Sequence, residues 1–342
     1  MASILTEEVY LKPPFATLEQ LATEIELWDA TTAGQLAFCP RKSEYATCYA
    51  LRKSGEQLQL KTGSAIHASL ALFYTGGSEE ECMAELAAVF GKDHSFRLPT
   101  GHRYQHLHLG HLETIFRNYM DYARKRDTFK PLLIHREQIK LDQVLGGIWK
   151  VTEKGFVVLG ESKFIMRFKL TLPTGEEIDF DYAGRPDLPI QMGGAVYIMD
   201  HKTSSAYLSD YWADKHRFSN QLRGYAAMLE AITDLSIAGG LINGIFVGEK
   251  ASSTEFKGNK FARFGPFLYQ PAHLTEALLN QYYWKRQLYR HWEDKYFPQA
   301  GNQACCGCDF TELCNAAPAT RVAAMSAFSR SEQSVMETFL KL

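Results

Sequence analysis

The sequence holds no stretch both long and apolar enough to cross a bilayer. Residues 235–247, the longest apolar-looking segment, are interrupted by Gly239, Gly240, Asn243 and Gly244 and fall short of the roughly 20 residues a span needs. A basic start followed by an apolar run is missing too. MASILTEEVYLKPPF carries two early glutamates, so no secretory signal is expected and the protein reads as cytoplasmic, with no membrane partner. Charge of one sign is not in excess: 37 Lys+Arg against 39 Asp+Glu leave a formal net charge of -2, so a nucleic-acid partner has to be met by local basic patches. The Gly-x4-Gly-Lys-Ser/Thr pattern is absent; Gly155 and Gly160 have the spacing but Glu161 follows in place of lysine, which excludes a P-loop motor. Repeats and low-complexity tracts are lacking, as is the cysteine pattern of a secreted disulfide framework. The seven cysteines are odd in number and four crowd between Cys305 and Cys314, which suits metal ligation in a reducing compartment. What is there, 342 residues with 46% hydrophobic and 22% charged, supports a substantial core and excludes a disordered or collagen-like chain.

Apolar spacing predicts helices over residues 18–28, 32–51 (Thr32 as the cap), 62–74, 78–90 and 104–126. The period changes near Pro131. Residues 132–141, 147–159, 162–172 and 177–190 read as strands, the last with Ile178, Phe180, Tyr182, Leu188 and Ile190 on one parity and Asp179, Asp181, Arg185 and Asp187 on the other. After the Met192-Gly193-Gly194 turn, residues 195–202 read as a central strand emerging at the sheet edge. A helix over 219–233, strands near 242–247 and 261–269, a helix over 274–295 and a last helix from Ser331 complete the reading. The expected organisation is one α/β domain, 1–342, with a helical N-terminal region (1–130), a mixed-sheet core (131–270) and C-terminal helices with the cysteine cluster (271–342).

Gly184-Arg185-Pro186-Asp187, followed after a turn by Asp200-His201-Lys202, is the most informative stretch. Strand side chains alternate, so Asp200 and Lys202 share a face, and a hairpin through Gly193-Gly194 brings Asp187 beside them. Paired carboxylates repel unless a cation sits between them, and hard oxygen ligands suit Mg²⁺ or Mn²⁺, which polarise a phosphodiester. Lysine beside them orients a water or neutralises developing charge. By itself Asp-x-Lys is a weak pattern that a solvated strand end also produces. Gln221 and Tyr225, one turn apart on the next helix, add weight.

Together these stretches resemble the PD-(D/E)XK nucleases and, within them, the RecB-like branch that includes the CRISPR-associated exonucleases and the AddB nuclease domain. That branch carries a His on an early helix, matched by His67 in Gly63-Ser64-Ala65-Ile66-His67, then Gly-x-x-Asp, Asp/Glu-x-Lys and Gln-x-x-x-Tyr, all in order here. The resemblance implies a restriction-endonuclease-like core, a central mixed sheet flanked by helices. It implies His67, Asp187, Asp200 and the carbonyl of His201 as metal ligands, Lys202 serving the attacking water, and Gln221 and Tyr225 supporting substrate and active site. The implied activity is a Mg²⁺- or Mn²⁺-dependent deoxyribonuclease, an exonuclease on single strands or DNA ends leaving 5′-phosphates, with partners in recombination, repair or CRISPR adaptation. A catalytically inactive DNA-binding or adaptor protein with the same fold is the alternative. His102, His106, His108 and His111 are more numerous but lack the metalloprotease arrangement.

Cys305, Cys308 and Cys314 form C-x2-C-x5-C, and Cys39 in Phe38-Cys39-Pro40-Arg41-Lys42 is the natural fourth ligand. Members of the RecB-like branch hold a [4Fe–4S] cluster with such a set, which here implies a staple between the N- and C-terminal helices. Zinc uses the same donors and stays open, as does Cys306 in place of Cys305. Cys82 and Cys48 read as buried free thiols. Basic stretches at 124–126, 215–217 and 285–290, the last among Tyr282, Tyr283, Trp284, Tyr289 and Trp292, are candidates for a nucleic-acid groove or plain solvated helix faces.

Overall fold

The computed structural model describes residues 28–53, 58–91, 104–140, 144–301, 305 and 307–330. The first elements are helices α1 (Ala30–Phe38) and α2 (Pro40–Ser43), strand β1 (Leu51–Lys53), and helices α3 (Leu58–Tyr74), α4 (Glu79–Phe90) and α5 (Leu109–Arg126). Strands β2 (Lys130–Pro131), β3 (Ile134–His135), β4 (Val144–Val151), β5 (Phe156–Thr171), β6 (Glu177–Gly184), β7 (Leu188–Met192) and β8 (Ala195–Ser204) follow. Helices α6 (Asp210–Asp214) and α7 (Asn220–Thr233), strands β9 (Ile237–Phe246) and β10 (Phe261–Leu268), helices α8 (Pro271–Glu293), α9 (Thr311–Asn315) and α10 (Pro318–Ala324) and strand β11 (Phe328–Arg330) complete it. The helices expected over 18–28 and from Ser331 lie outside the described residues, except for Trp28. Contacts divide the chain into two units: 56–166 with 184–278, and 1–55 with 167–183 and 279–342.

The first of these holds a five-stranded sheet in the order β10-β9-β8-β7-β2. It is mixed, because β8 and β9 run parallel while β7 and β10 pair antiparallel to their neighbours. The apolar run Val196–Met199 makes β8 the middle strand, where a run without alternation belongs. Its hairpin with β7 turns on Gly193 and Gly194, both at positive φ. Helix α7 connects β8 to β9, with Ser219 accepting from Leu222 N as its N-cap. Strands β3, β5 and β4 form a second, antiparallel array. Helix α5 buries Leu112, Ile115, Phe116, Tyr119, Met120 and Ala123 at helical spacing. Each large side chain among them contributes about 1.5–3 kcal/mol of burial. A capping box between Ser78 and Glu81 starts α4 at the expected position.

Several boundaries differ from expectation for local reasons. Residues 177–190 split into β6 and β7 at Arg185-Pro186-Asp187, where Pro186 offers no ladder donor. The strand expected over 147–159 breaks at the turn 152–155: its first part belongs to β4, and its last part joins 162–171 in one strand, β5, that runs through Glu161. β9 begins at Ile237 rather than near 242. Gly239 and Gly240 belong to it because a Cβ there would strike the Phe267 carbonyl and the Tyr269 hydroxyl. Helix α5 starts only at Leu109, with His108 as N-cap.

In the second unit, residues expected as one helix over 32–51 break at Cys39, which is extended because the following Pro40 disfavours helical backbone before it. The cap of α1 is Asp29 rather than Thr32; its carboxylate accepts from Thr32 N at 2.7 Å. β1 pairs antiparallel with β11, and Trp28 Nε1 donates to Gln281 Oε1 at 3.2 Å. The end of β5 turns at Gly175 into β6, where Arg167 grips Asp181 with two 2.7 Å bonds.

Candidate active site

Glycine brings helix α3 against β5. A Cβ on Gly160 would press on Ala71, so the backbones meet closely there and His67, one turn before Ala71, arrives beside Glu161. Glu161 itself sits on a β-bulge. Between the pairs Gly146↔Lys163 and Ile148↔Gly160, β5 carries one residue more than β4, and Glu161 takes a φ of 50°. Gly147 opposite, at φ 99°, is needed because a Cβ there would collide with the Glu161 carbonyl. A side chain other than glycine in that left-handed region costs about 1–3 kcal/mol, strain of the kind that aims side chains at functional sites.

The result is a cluster. His67 Nδ1 lies 2.7 Å from Glu161 Oε1 and 3.5 Å from Asp187 Oδ1. Among the described residues, the group of potential metal ligands whose donor atoms all lie within 4.8 Å is His67, Glu161 and Asp187. An imidazole with two carboxylates is a hard donor set that fits Mg²⁺ or Mn²⁺. Asp187 is buried in the β6–β7 break and accepts from the His201 backbone N–H at 2.5 Å, and Arg185 Nε pairs with Glu161 Oε2 at 2.7 Å.

Asp200 and Lys202 project together from β8, as the alternation requires, but Asp200 is not one of that ligand group. Lys202 Nζ lies 2.6 Å from Asp200 Oδ2 and donates to Gln221 Oε1 at 3.1 Å, and Gln221 Nε2 donates to Tyr225 OH at 2.9 Å. Lysine only donates, so it fixes the Gln221 amide, whose nitrogen then faces Tyr225. Gly184 opens the Gly-x-x-Asp stretch because a Cβ there would meet Met228 Sδ and the Tyr225 ring.

Electrostatics follow from burial and these pairs. Burial opposes a charged imidazole at His67, yet the Asp187 and Glu161 carboxylates hold its pKa up to about 10. Burial pushes Asp200 up to about 6, with Lys202 offsetting part of the rise. Glu161 is raised by burial and by Asp187. At Asp187 burial is outweighed by His67, which keeps it well below the carboxylate range. Burial works against the charge on Lys202 but Asp200 and Asp187 raise its pKa, while burial takes His201 down to about 3 and leaves its ring neutral.

Reasoning from sequence missed Glu161, because it placed residue 161 between two strands. A usable signal was present: one acidic residue, in Gly160-Glu161-Ser162-Lys163, between the apolar runs Val157–Leu159 and Phe164–Met166.

In the other unit, Cys39, Cys305, Cys308 and Cys314 line one cavity of about 80 Å³. The extended break before Pro40 presents Cys39, while Cys305 and Cys308 share a turn held by Thr311 Oγ1 on both their carbonyls. Their sulfurs do not form a group within 4.8 Å. Cys306 lies outside the described residues; Cys48 and Cys82 are buried thiols. His106, His108 and His111 make ring contacts and no such group, and His102 lies outside the described residues.

Residues 28–315 match the family described as the PD-(D/E)XK nuclease superfamily. The chain belongs to the PD-(D/E)XK nuclease superfamily. Its mixed sheet flanked by helices agrees with that fold, and the motif residues Asp187, Asp200 and Lys202 fall inside the matched span. No curated protein matches the chain. A solved structure described as "Crystal structure of SSO0001" aligns over 76% of this chain and 94% of that chain at 11% identity, with a TM-score of 0.29. No described helix is long and apolar enough to cross a membrane.

Proposed function

We propose that this PD-(D/E)XK protein is a Mg²⁺- or Mn²⁺-dependent deoxyribonuclease, an exonuclease on single strands or DNA ends that leaves 5′-phosphates. The convergence of His67, Glu161 and Asp187 beside the Asp200–Lys202 pair carries the reading. When bound, a divalent ion supplies the positive charge that polarises the scissile phosphodiester. His67, Glu161 and Asp187 would hold it, with Asp200 and the His201 carbonyl as the further ligands the family resemblance implies. Lys202, steadied by Asp200 and Gln221, orients the attacking water and offsets charge developing on the phosphate. Tyr225 holds the Gln221 amide in register with that lysine.

Cleavage of end-labelled single- and double-stranded DNA, with Mn²⁺ and with chelator, tests it. We expect chelator-sensitive shortening from an end and its loss in Asp200→Ala and Lys202→Ala proteins, each assayed below its own melting temperature. DNA binding without cleavage under any divalent ion replaces the reading with an inactive adaptor; retained turnover in both variants removes the assigned roles.

Cys39, Cys305, Cys308 and Cys314, which line one cavity, would hold the [4Fe–4S] cluster that the family resemblance implies. Zinc takes the same four thiolate donors and is the alternative. Anaerobically purified protein should be brown and contain iron and acid-labile sulfide, both lost in Cys39→Ser. Zinc in their place would select the other site. The clustered cysteines suit a reducing, cytoplasmic compartment, and the family resemblance implies partners in recombination, repair or CRISPR adaptation.

A further inference from the structure

Three adjacent strands carry a polar row that ends at the candidate site. Arg263 on β10 is registered with Asn243 on β9, and Asn243 with His201 on β8. Asn243 and His201 are 0% and 1% exposed. Arg263 Nη1 donates to Asn243 Oδ1 at 2.5 Å, and Asn243 Nδ2 lies 2.6 Å from His201 Nδ1 and donates to Tyr119 OH at 2.7 Å.

The directions along this row are forced. A guanidinium only donates, so the Asn243 oxygen must face Arg263 and the amide nitrogen must face His201. That nitrogen only donates in turn, so Nδ1 of the His201 ring must accept, and the ring proton sits on Nε2. Tyr119 OH accepts from both Asn243 and Arg263 Nη2, hence donates to Tyr74 OH at 2.6 Å, which donates to Asp127 Oδ2 at 2.8 Å. Arg263 Nη2 closes the loop on Asp127 Oδ1 at 2.8 Å. The Tyr74 ring stacks on His201 at 5.8 Å and 11°. On the other side, the backbone N–H of His201 is the donor to Asp187.

A half-buried Arg–Asp pair is a poor way to gain stability, since well-packed apolar side chains of similar volume do as well, but it is a good way to impose direction. We infer that Arg263 and Asn243 are positioning residues of the candidate metal centre: they hold the His201 side chain in one orientation, as the Nε2–H tautomer, and so anchor the residue whose backbone N–H meets Asp187. The inference rests on His67, Glu161 and Asp187 being the ligands of the ion.

The test uses the full chain, with three measurements on each protein: ¹⁵N long-range spectra of the His201 imidazole, Mn²⁺ affinity by calorimetry, and the melting temperature. The wild type should show the Nε2–H pattern. Asn243→Asp, equal in shape, offers an acceptor where the wild type offers a donor, so the ring should switch to Nδ1–H and Mn²⁺ should bind about 10- to 100-fold more weakly. Arg263→Met frees the amide to turn and should populate both tautomers with a loss in the same direction. An Nδ1–H ring in the wild type overturns the inference without any variant. So does Mn²⁺ affinity within about twofold of wild type in Asn243→Asp when Asp187→Asn abolishes binding, because outer partners of metal ligands cost more than that. Undiminished Mn²⁺ binding in Asp187→Asn instead removes the ligand assignment, and the inference with it.

Discussion

Loading the candidate centre with Mn²⁺ has to expel a proton. In the ion-free protein His67 Nδ1 faces Glu161 at 2.7 Å and Asp187 at 3.5 Å, and against the effect of burial those carboxylates hold its pKa up to about 10. A ligand imidazole must be neutral, so the ion competes with that proton at every pH below about 10. Removing it costs about 1.4 kcal/mol per pH unit, hence about 3 kcal/mol at pH 7.5. The sign is unambiguous: the His67 pKa is raised, its proton is present at neutral pH, and affinity must climb as pH rises. Asp200, pushed by burial up to about 6, is ionised above that pH and adds a second proton only below it. Between pH 7 and 9 Mn²⁺ affinity should therefore rise about tenfold per unit, steepening below pH 6. Calorimetry at pH 7.5 in two buffers of different ionisation enthalpy should find about one proton released per ion. Glu161→Gln removes the nearest carboxylate and should reduce that release along with the affinity. No proton released and an affinity flat from pH 7 to 9 would falsify the assignment of His67 as a ligand.

The same imidazole makes ion-free stability pH-dependent. With a folded pKa near 10 against an unfolded 6.5, its stabilisation is complete below pH 6.5 and is lost as pH rises through 10, so thermal melts should fall over that window unless Mn²⁺ is present. Gly184→Ala would push a methyl into Met228 and the Tyr225 ring. We expect a loss of about 1–3 kcal/mol in chemical denaturation together with slower cleavage, and an unchanged melt would refute the packing argument. Gly34→Ala, in the exposed interior of α1 with nothing near the added carbon, should instead gain about 0.5–1 kcal/mol by the same measurement. Lys202→Met leaves Asp200 buried without its cation, so the Asp200 pKa should rise and unfolding should become easier by about 3–5 kcal/mol at pH 8, read from denaturant melts at pH 5 and 8.

Short-range physics was legible in the chain from the start. Alternation placed Asp200 and Lys202 on one face of β8, two glycines turned β7 back onto it, and helical spacing put Gln221 and Tyr225 one turn apart on the next helix. Each of these follows from a dihedral preference or a period of two or 3.6 residues, which neighbours along the chain suffice to set. The bulge at Glu161 and the row from Arg263 through Asn243 to His201 were not legible in that way. Glu161 meets His67 across 94 residues, and it does so only because Gly160 admits helix α3 and Gly147 admits the kinked backbone. Strand register, not local propensity, lines up Arg263, Asn243 and His201. Which distant side chains share a site was decided by packing between elements, because the close approach of backbones is a property of the assembled fold and leaves only isolated glycines and one misplaced-looking glutamate in the sequence.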